Sequence, residues 1–273
     1  MRVGIVAQKG NSRAAFLADD LRTRLRERGV DVAIDAATAD ALGVEGVDVS
    51  ALADTDLIVS IGGDGTFLYA SRGAEGTPII GVNLGEVGFL PAVGPDEAVE
   101  AVVTEVEAIE EGTFEAREVP RLAPRGEDWT GTPATNEIVV QGPRRGHGGG
   151  AGVEIRVDGS LYSGGHADGV LIATPTGSTA YNLSERGPLV HPGIDGLVIN
   201  EMCADGGMPP LVVGADSTVS VTLTDASKAV VVSDGRVVRE PTPPTEVWIE
   251  TTRPPVRIAG PSSDFFEALG KLD

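Results

Sequence analysis

Residues 57–61 read Leu-Ile-Val-Ser-Ile, a short run with no polar alternation, and they are followed at once by two glycines. A strand with one wet face alternates apolar and polar residues. One without alternation is covered on both sides, as in the middle of a parallel sheet flanked by helices. Parallel neighbours need long crossover connections, usually helical, and the surrounding sequence supplies them. Residues 2–7 are apolar and β-prone, and Ala14, Leu17, Leu21 and Leu25 then recur at helical spacing, with Gly29 as a stop signal. Residues 30–34 give a second strand, 66–71 the start of a short helix, and 78–82 another strand. Val99, Val102, Val103, Val106 and Ile109 line one helix face between Asp96 and Gly112. The first third is therefore expected to be a Rossmann-like α/β domain.

Beyond about residue 113 the pattern changes to short β-branched runs punctuated by Gly, Pro and Asp, at 137–141, 153–157, 170–173, 211–213, 218–223, 230–232 and 247–250. This predicts a second, β-rich domain. Residues 142–152 carry six glycines and read as a mobile loop. Residues 262–272 open on the capping-type pair Ser262 and Ser263 and present Phe265, Phe266 and Leu269, a closing helix expected to pack back on the first domain. The expected division is thus 1–112 with 262–273, and 113–261.

Charge narrows the function. Forty-one acids against 21 bases leave a formal net charge of -20, which argues against a nucleic-acid or anionic-membrane partner. Among the bases only Lys9, Lys228 and Lys271 are lysines, and this bias towards Asp, Glu and Arg fits a cytosol of very high salt. A single cysteine, Cys203, allows no internal disulfide and fits a reducing interior. His147, His166 and His191 are too scattered to read as a zinc site. No apolar run approaches the roughly 18 residues of a membrane span, so a cytoplasmic protein is expected.

Two stretches carry chemistry. In residues 60–70, SIGGDGTFLYA, the glycines Gly62, Gly63 and Gly65 stand between a strand and a helix start, where bare backbone can approach phosphate oxygens, with Asp64 held out among them and Thr66 following. The stretch is neither a Walker A loop, lacking its lysine, nor a dinucleotide fingerprint. In residues 167–184, ADGVLIATPTGSTAYNLS, the hydroxyls of Thr174, Thr176, Ser178 and Thr179 gather around Pro175 and Gly177 before a helix-like start at Ala180. They could serve a ribose or phosphate without adding charge, or Ser178 or Thr179 could simply cap the helix. Asn136 and Glu137 end a loop and open a strand.

Taken in order, Gly62 to Thr66, the segment VNLGEVGFL at 82–90, Asn136 with Glu137, and Asp168-Gly169 leading into TPTGSTAY at 174–181 closely resemble the NAD kinase family over nearly the whole chain. The resemblance implies transfer of the ATP γ-phosphoryl group to the 2′-hydroxyl of the adenosine ribose of NAD, giving NADP. It implies that Asp64 is the catalytic aspartate and that Gly62, Gly63, Gly65 and Thr66 form the phosphate loop. NAD would be bound by Asp64, Gly65, Asn136, Glu137, His166, Asp168, Thr179, Ala180, Tyr181, Asn182, Leu183 and Ser184. A homodimer or homotetramer is usual for the family. Because ATP, NAD and the protein are all negative, Mg²⁺ or another divalent cation is expected to bridge the phosphates, its protein ligands left open. Glu185, Arg186 and the Arg236 that follows Asp234 and Gly235 depart from the common pattern. A lipid or sugar kinase shares the Gly-Gly-Asp-Gly turn but does not explain residues 174–181, and a non-catalytic NAD-binding module is argued against by the intact Asp64. ATP against polyphosphate as donor, and NAD against NADH as acceptor, stay open.

Overall fold

The computed structural model describes residues 1–85, 88–146, 148–262 and 264–271. Glu86 and Val87 of the 82–90 stretch, His147, Ser263 of the serine pair and Leu272 therefore lie outside the described residues. The chain falls into two units, Met1–Val119 with Pro254–Asp273, and Pro120–Arg253.

In the first unit β1 (Arg2–Ala7), α1 (Ser12–Glu27), β2 (Asp31–Ile34), α2 (Ala36–Leu42), β3 (Leu57–Gly62), α3 (Asp64–Ala74), β4 (Ile79–Asn83) and α4 (Ala98–Glu111) succeed one another. The strands are parallel in the order β2-β1-β3-β4, with Ile5 opposite Val59 and Val59 opposite Ile80. Every residue of β3 is buried, as the lack of alternation requires. Leu57, Val59 and Ile61 pack into the layer made by Ala14, Ala18, Leu21 and Leu25 of α1 and Val102 and Val106 of α4. Ile58 packs into the opposite layer with Phe67 and Ala70 of α3. Asn11 starts α1 by accepting from the Arg13 and Ala14 amides, and Gly112 ends α4 in the left-handed region.

Sequence periodicity does not reveal α2 or the 3-10 turn Val49–Asp54, because each is too short to show a repeat. The turn matters to α3. A Cβ on Gly73 would fall 2.6 Å from the Val49 carbonyl carbon, so the helix rests directly on the turn's backbone.

β5 (Arg117–Arg125) leads into the second unit, where β6 (Glu137–Gln141), β7 (Ala151–Val157), β8 (Ser160–Ala167), β9 (Gly169–Ala173), the one-turn α5 (Tyr181–Ser184), β10 (Gly196–Met202), β11 (Leu211–Gly214), β12 (Val219–Thr224), β13 (Val230–Ser233), β14 (Arg236–Arg239) and the long β15 (Thr245–Ala259) follow. One antiparallel sheet runs β11-β10-β9-β6-β13-β14, and another runs β8-β7-β12 to the first part of β15. Ile138, Val140, Ile172 and Ile199 of the former share a core with Ile155, Val219, Val221 and Val247 of the latter. Asp158-Gly159 and Asp234-Gly235 make two-residue hairpin turns with both residues at positive φ, 49° and 80° in one, 44° and 74° in the other.

Four strands escape the sequence reading. β5 holds two prolines and β8 two glycines, β14 is only four residues long, and β10 is not among the runs singled out in the sequence. β15 extends well past the expected 247–250, with Pro254 and Pro255 between the part that pairs with β12 and the part that pairs with β4. Both changes of unit fall inside continuous strands, so composition places them differently, at 112/113 and 261/262. Of the glycine-rich segment, Ala151 and Gly152 belong to β7.

The last helix, α6 (Phe265–Leu269), is shorter than the sequence suggests. Its cap is Asp264, which accepts from the Phe266 and Glu267 amides at 2.8 and 2.9 Å, rather than a serine. Its Phe265 ring lies 6.4 Å from that of Phe89 in the first unit. No helix among the described residues is long and apolar enough to cross a membrane.

Gly73→Ala sets about 1 kcal/mol of helix propensity against overpacking on backbone, which costs about 1–3 kcal/mol. The variant is expected to be less stable than the parent in urea unfolding.

Candidate functional site

In the first unit the connection β1-α1-β2 winds to one side of the sheet and the chain returns on the other, so the ends of β1 and β3 meet where the strand order reverses. The Gln8 amide donates to Ile61 O at 2.8 Å, joining the two loops. Beside β1, Lys9, Asn11, Ala37 and Thr38 help line a pocket of about 310 Å³. After β3, Gly63 caps α3 in an extended conformation and Asp64 is the helix's first residue, where a negative charge suits the helix dipole.

The three glycines of this turn differ in what they do. A Cβ on Gly62 would strike the Thr66 side chain and sit 3.1 Å from Gln8 Cβ, so packing alone demands glycine there. A Cβ on Gly63 or Gly65 would meet nothing within 4 Å. Protein packing does not explain those two.

The Asp64 carboxylate is half-buried and accepts from the Phe89 amide at 3.2 Å and the Leu90 amide at 3.1 Å. Burial raises its pKa above the ordinary carboxylate value, and the two amide hydrogen bonds oppose that rise. Leu84, whose amide donates to Gly62 O at 3.1 Å, ties the start of the same segment to the turn.

In the second unit β6 and β9 are neighbours with Glu137 opposite Ala173, which brings the loop ending at Asn136 against the loop beginning at Thr174. The Thr174 hydroxyl donates to Thr135 O at 2.7 Å, and its amide donates to Asn136 O at 2.9 Å. The clustered hydroxyls mostly serve the protein itself: Ser178 donates to Pro175 O at 2.7 Å and accepts from the Val190 amide at 3.0 Å, while Thr179 donates to Thr176 O at 3.2 Å. Neither caps α5, which has no side-chain cap.

Asp234 closes this end of the sheet. Its carboxylate accepts from the amides of Thr135 and Asn136, each at 2.8 Å, and of Glu137 at 3.2 Å. Sequence reading passed over this role. The available signal was an Asp-Gly turn directly after a β-branched run, the same arrangement as at Asp64. Glu137 is 7 % exposed, and its pKa is pushed up to about 8 by burial first and the charge of Asp234 second, with the Tyr181 amide opposing.

Asp168 stands at the other end of β9, roughly 17 Å away by the rise of a five-residue strand. Its carboxylate is buried and accepts from the Gly146 amide at 2.8 Å. Across the face between these ends, Arg145 donates to the Tyr181 hydroxyl and to Gln141, its guanidinium 5.4 Å from the Tyr181 ring centre. Neither Arg145 nor Gln141 was expected at the site. His166 is exposed with Nε2 3.0 Å from Gly149 O. Thr179, Ala180, Tyr181 and Leu183 are half-buried and Ser184 is exposed. Asn182 is wholly buried: its amide donates to Ser178 O at 3.2 Å and Pro188 O at 3.0 Å, and its oxygen accepts from Asn200. Its side chain organises the loop from within.

The comparisons with known proteins agree across both units. The sequence model of the ATP-NAD kinase N-terminal domain matches residues 3–111, and that of the ATP-NAD kinase C-terminal domain matches residues 135–259. The chain is 62% identical to the NAD kinase of Halorubrum lacusprofundi and 57% identical to that of Haloarcula marismortui, covering 100% of each chain in both cases. Among solved structures it is similar to an Archaeoglobus fulgidus NAD kinase in complex with ATP, with TM-score 0.79, 27% identity and coverage of 100% of this chain and 98% of the other. Yeast NADH kinase complexed with NADH shares the fold at TM-score 0.86 and 21% identity, covering 100% and 87%.

Asn182→Ala would strip the Ser178 and Pro188 carbonyls of a buried donor, a loss of about 1–3 kcal/mol per group. The expected result is a clear fall in the urea unfolding midpoint.

Proposed function

Because this chain belongs to the NAD kinase family, we propose that it transfers the γ-phosphoryl group of ATP to the 2′-hydroxyl of the adenosine ribose of NAD, giving NADP and ADP. The observation that carries this reading is the bare backbone on either side of Asp64. Neither Gly63 nor Gly65 is required by packing, and a phosphate group drawn against the start of α3 gives both a reason to be glycine.

In this reading Asp64 orients the ribose hydroxyl. The Phe89 and Leu90 amides hold its carboxylate in one direction, and burial raises its affinity for a proton. Phosphoryl transfer is mainly a matter of positioning through a loose transition state. The ribose oxygen bonds to phosphorus as the bond to ADP breaks, and the hydroxyl proton passes late to Asp64. Gly62, Gly63, Gly65 and Thr66 are assigned to phosphates. Asn136, Glu137, His166, Asp168 and residues 179–184 are assigned to NAD, with Asn182 acting through its backbone.

Among the described residues no three His, Cys, Asp or Glu side chains gather as a metal cage. Magnesium would enter with ATP and supply charge neutralisation at its phosphates; its protein ligands are left unassigned and no step runs through it. A cytoplasmic location and a homodimer or homotetramer belong to the same reading, as does adaptation to high salt, which the net charge of -20 and the halophilic relatives support.

Purified protein with Mg²⁺, ATP and NAD should form NADP, read by an NADP-specific dehydrogenase. Asp64→Asn should lose about 100-fold or more in kcat while staying folded. Gly65→Ala should be at least as stable as the parent, since the new methyl meets no protein atom, yet poorer in rate. With the parent enzyme, the acid limb of the rate profile should lie above the ordinary carboxylate range near about 4, because burial raises the Asp64 pKa. A variant Asp64→Asn at full rate would sink the mechanism.

Salt gives an independent check. Screening of the dense negative surface should raise both the unfolding temperature and activity in molar KCl, and greatest stability in dilute buffer would contradict the adaptation.

A further inference from the structure

Three acidic or amide groups at one end of β6 have an unusual relation to one another. Asp234 sits in the left-handed region at φ 44°, the first residue of its hairpin turn, and its carboxylate gathers three consecutive amides, those of Thr135, Asn136 and Glu137. Its own amide donates back to Glu137 O at 3.1 Å. The loop before β6 is thereby fixed from both directions. Beside it, Glu137 Oε2 and Asn136 Oδ1 are buried and meet no hydrogen-bond partner among the described residues. A buried carboxylate that lacks a cation and lies beside another acid favours its neutral form.

The groups that face the Glu137 carboxyl are few. Asp234 approaches from the turn after β13, and the Tyr181 amide donates from the start of α5. Arg145 and Glu185 act on the Tyr181 phenol instead. Among the described residues, the charge that acts on the Glu137 carboxyl is that of Asp234.

We infer that Asp234 is a positioning residue that fixes the 135–137 backbone and holds the proton on Glu137, so that Glu137 meets the bound dinucleotide as a neutral hydrogen-bond donor. The inference rests on the assignment of Glu137 to NAD in the proposed function. Its chemical sense is that NAD offers acceptors, in its ribose oxygens and ring nitrogens, together with an anionic pyrophosphate. A neutral acid can donate to the former without repelling the latter. An ionised glutamate could only accept. With the carboxyl half-protonated at about pH 8, donation should fail progressively above that value.

The test has one readout without NAD and one with it. Carbon-13 NMR of the glutamate carboxyls in the full chain, from pH 5 to 9.5, should show one resonance titrating near pH 8, assigned by its absence from Glu137→Gln. It should move down by a pH unit or more in Asp234→Asn. The KM for NAD should rise by about tenfold per pH unit above the midpoint, since the donor form falls off at that rate, while kcat changes less. Glu137→Gln, a permanent donor, should bind NAD within about threefold of the parent at pH 7 by calorimetry and lose the pH dependence. If Asp234→Asn does not fold, the parent titration and Glu137→Gln decide the matter alone. A Glu137 resonance titrating below pH 6, a flat KM profile, or a tenfold loss of affinity in Glu137→Gln would each overturn the proposal, even with NADP formation intact. Unchanged NAD affinity in Glu137→Ala would instead remove Glu137 from the NAD site, and the proposal with it.

Discussion

Burial of β3 on both faces is the constraint from which the first unit follows. A strand that packs Leu57, Val59 and Ile61 against α1 and α4, and Ile58 against α3, has no surface left for solvent. Only its end is accessible. The chain must therefore leave the sheet at Gly62 and turn directly into α3, and the first side chain beyond the apolar layers is the Asp64 carboxylate. Gly62 makes that turn possible because Thr66 and Gln8 already occupy the space where its Cβ would be. The site in this unit is thus a consequence of where a buried strand is allowed to stop.

The second unit uses a related device with different physics. Carboxylates lie where water is scarce, and each accepts hydrogen bonds from backbone amides: Asp234 from three, Asp168 from Gly146, Asp64 in the first unit from two. Hydrogen bonds to a charged group contribute about 1.5–3 kcal/mol each, enough to offset much of the cost of burying the charge. Glu137 has only the Tyr181 amide to oppose the rise, and burial first and the charge of Asp234 second push its pKa up to about 8. Amide donors also leave no extra positive charge behind, and they hold direction well, since they are fixed to strands and turns.

Outside the sites, charge works at the surface. The ion pairs, such as Arg28 with Glu107 at 2.8 Å and Arg125 with Glu250 at 3.1 Å, are largely exposed on both sides. Pairs of that kind contribute about 0–1 kcal/mol and are screened by salt. The excess of acids over bases is therefore a matter of hydration and solubility rather than of fold, and the two cores carry the folding.

How much could be read from the chain depended on whether the physical cause was local. β1, β3, β6, β9, β12 and β13 follow from β-branched runs, α1 and α4 from helical spacing with Gly29 and Gly112 beyond their ends, and the Gly-Asp-Gly turn from its place after an apolar strand. β5, β8 and β14 carry prolines, glycines or arginines that locally disfavour a strand, and only their pairing partners make them strands. The motif hydroxyls of residues 174–179 looked like ligand donors, yet Ser178 and Thr179 donate to their own loop and Thr174 to the Thr135 carbonyl of the loop beside it, because satisfying a buried turn comes first. Asp234 and Arg145 act on residues far away in sequence, and no local pattern announces that. The sequence by itself determined the class of sheet, the position of the Gly-Asp-Gly turn and the acidic surface, since periodicity and composition act residue by residue. The tertiary structure alone decided which acids lie close enough to share a field, which polar atoms are left buried without a partner and which side chains are spent inside the protein, because burial and proximity are properties of the packed chain.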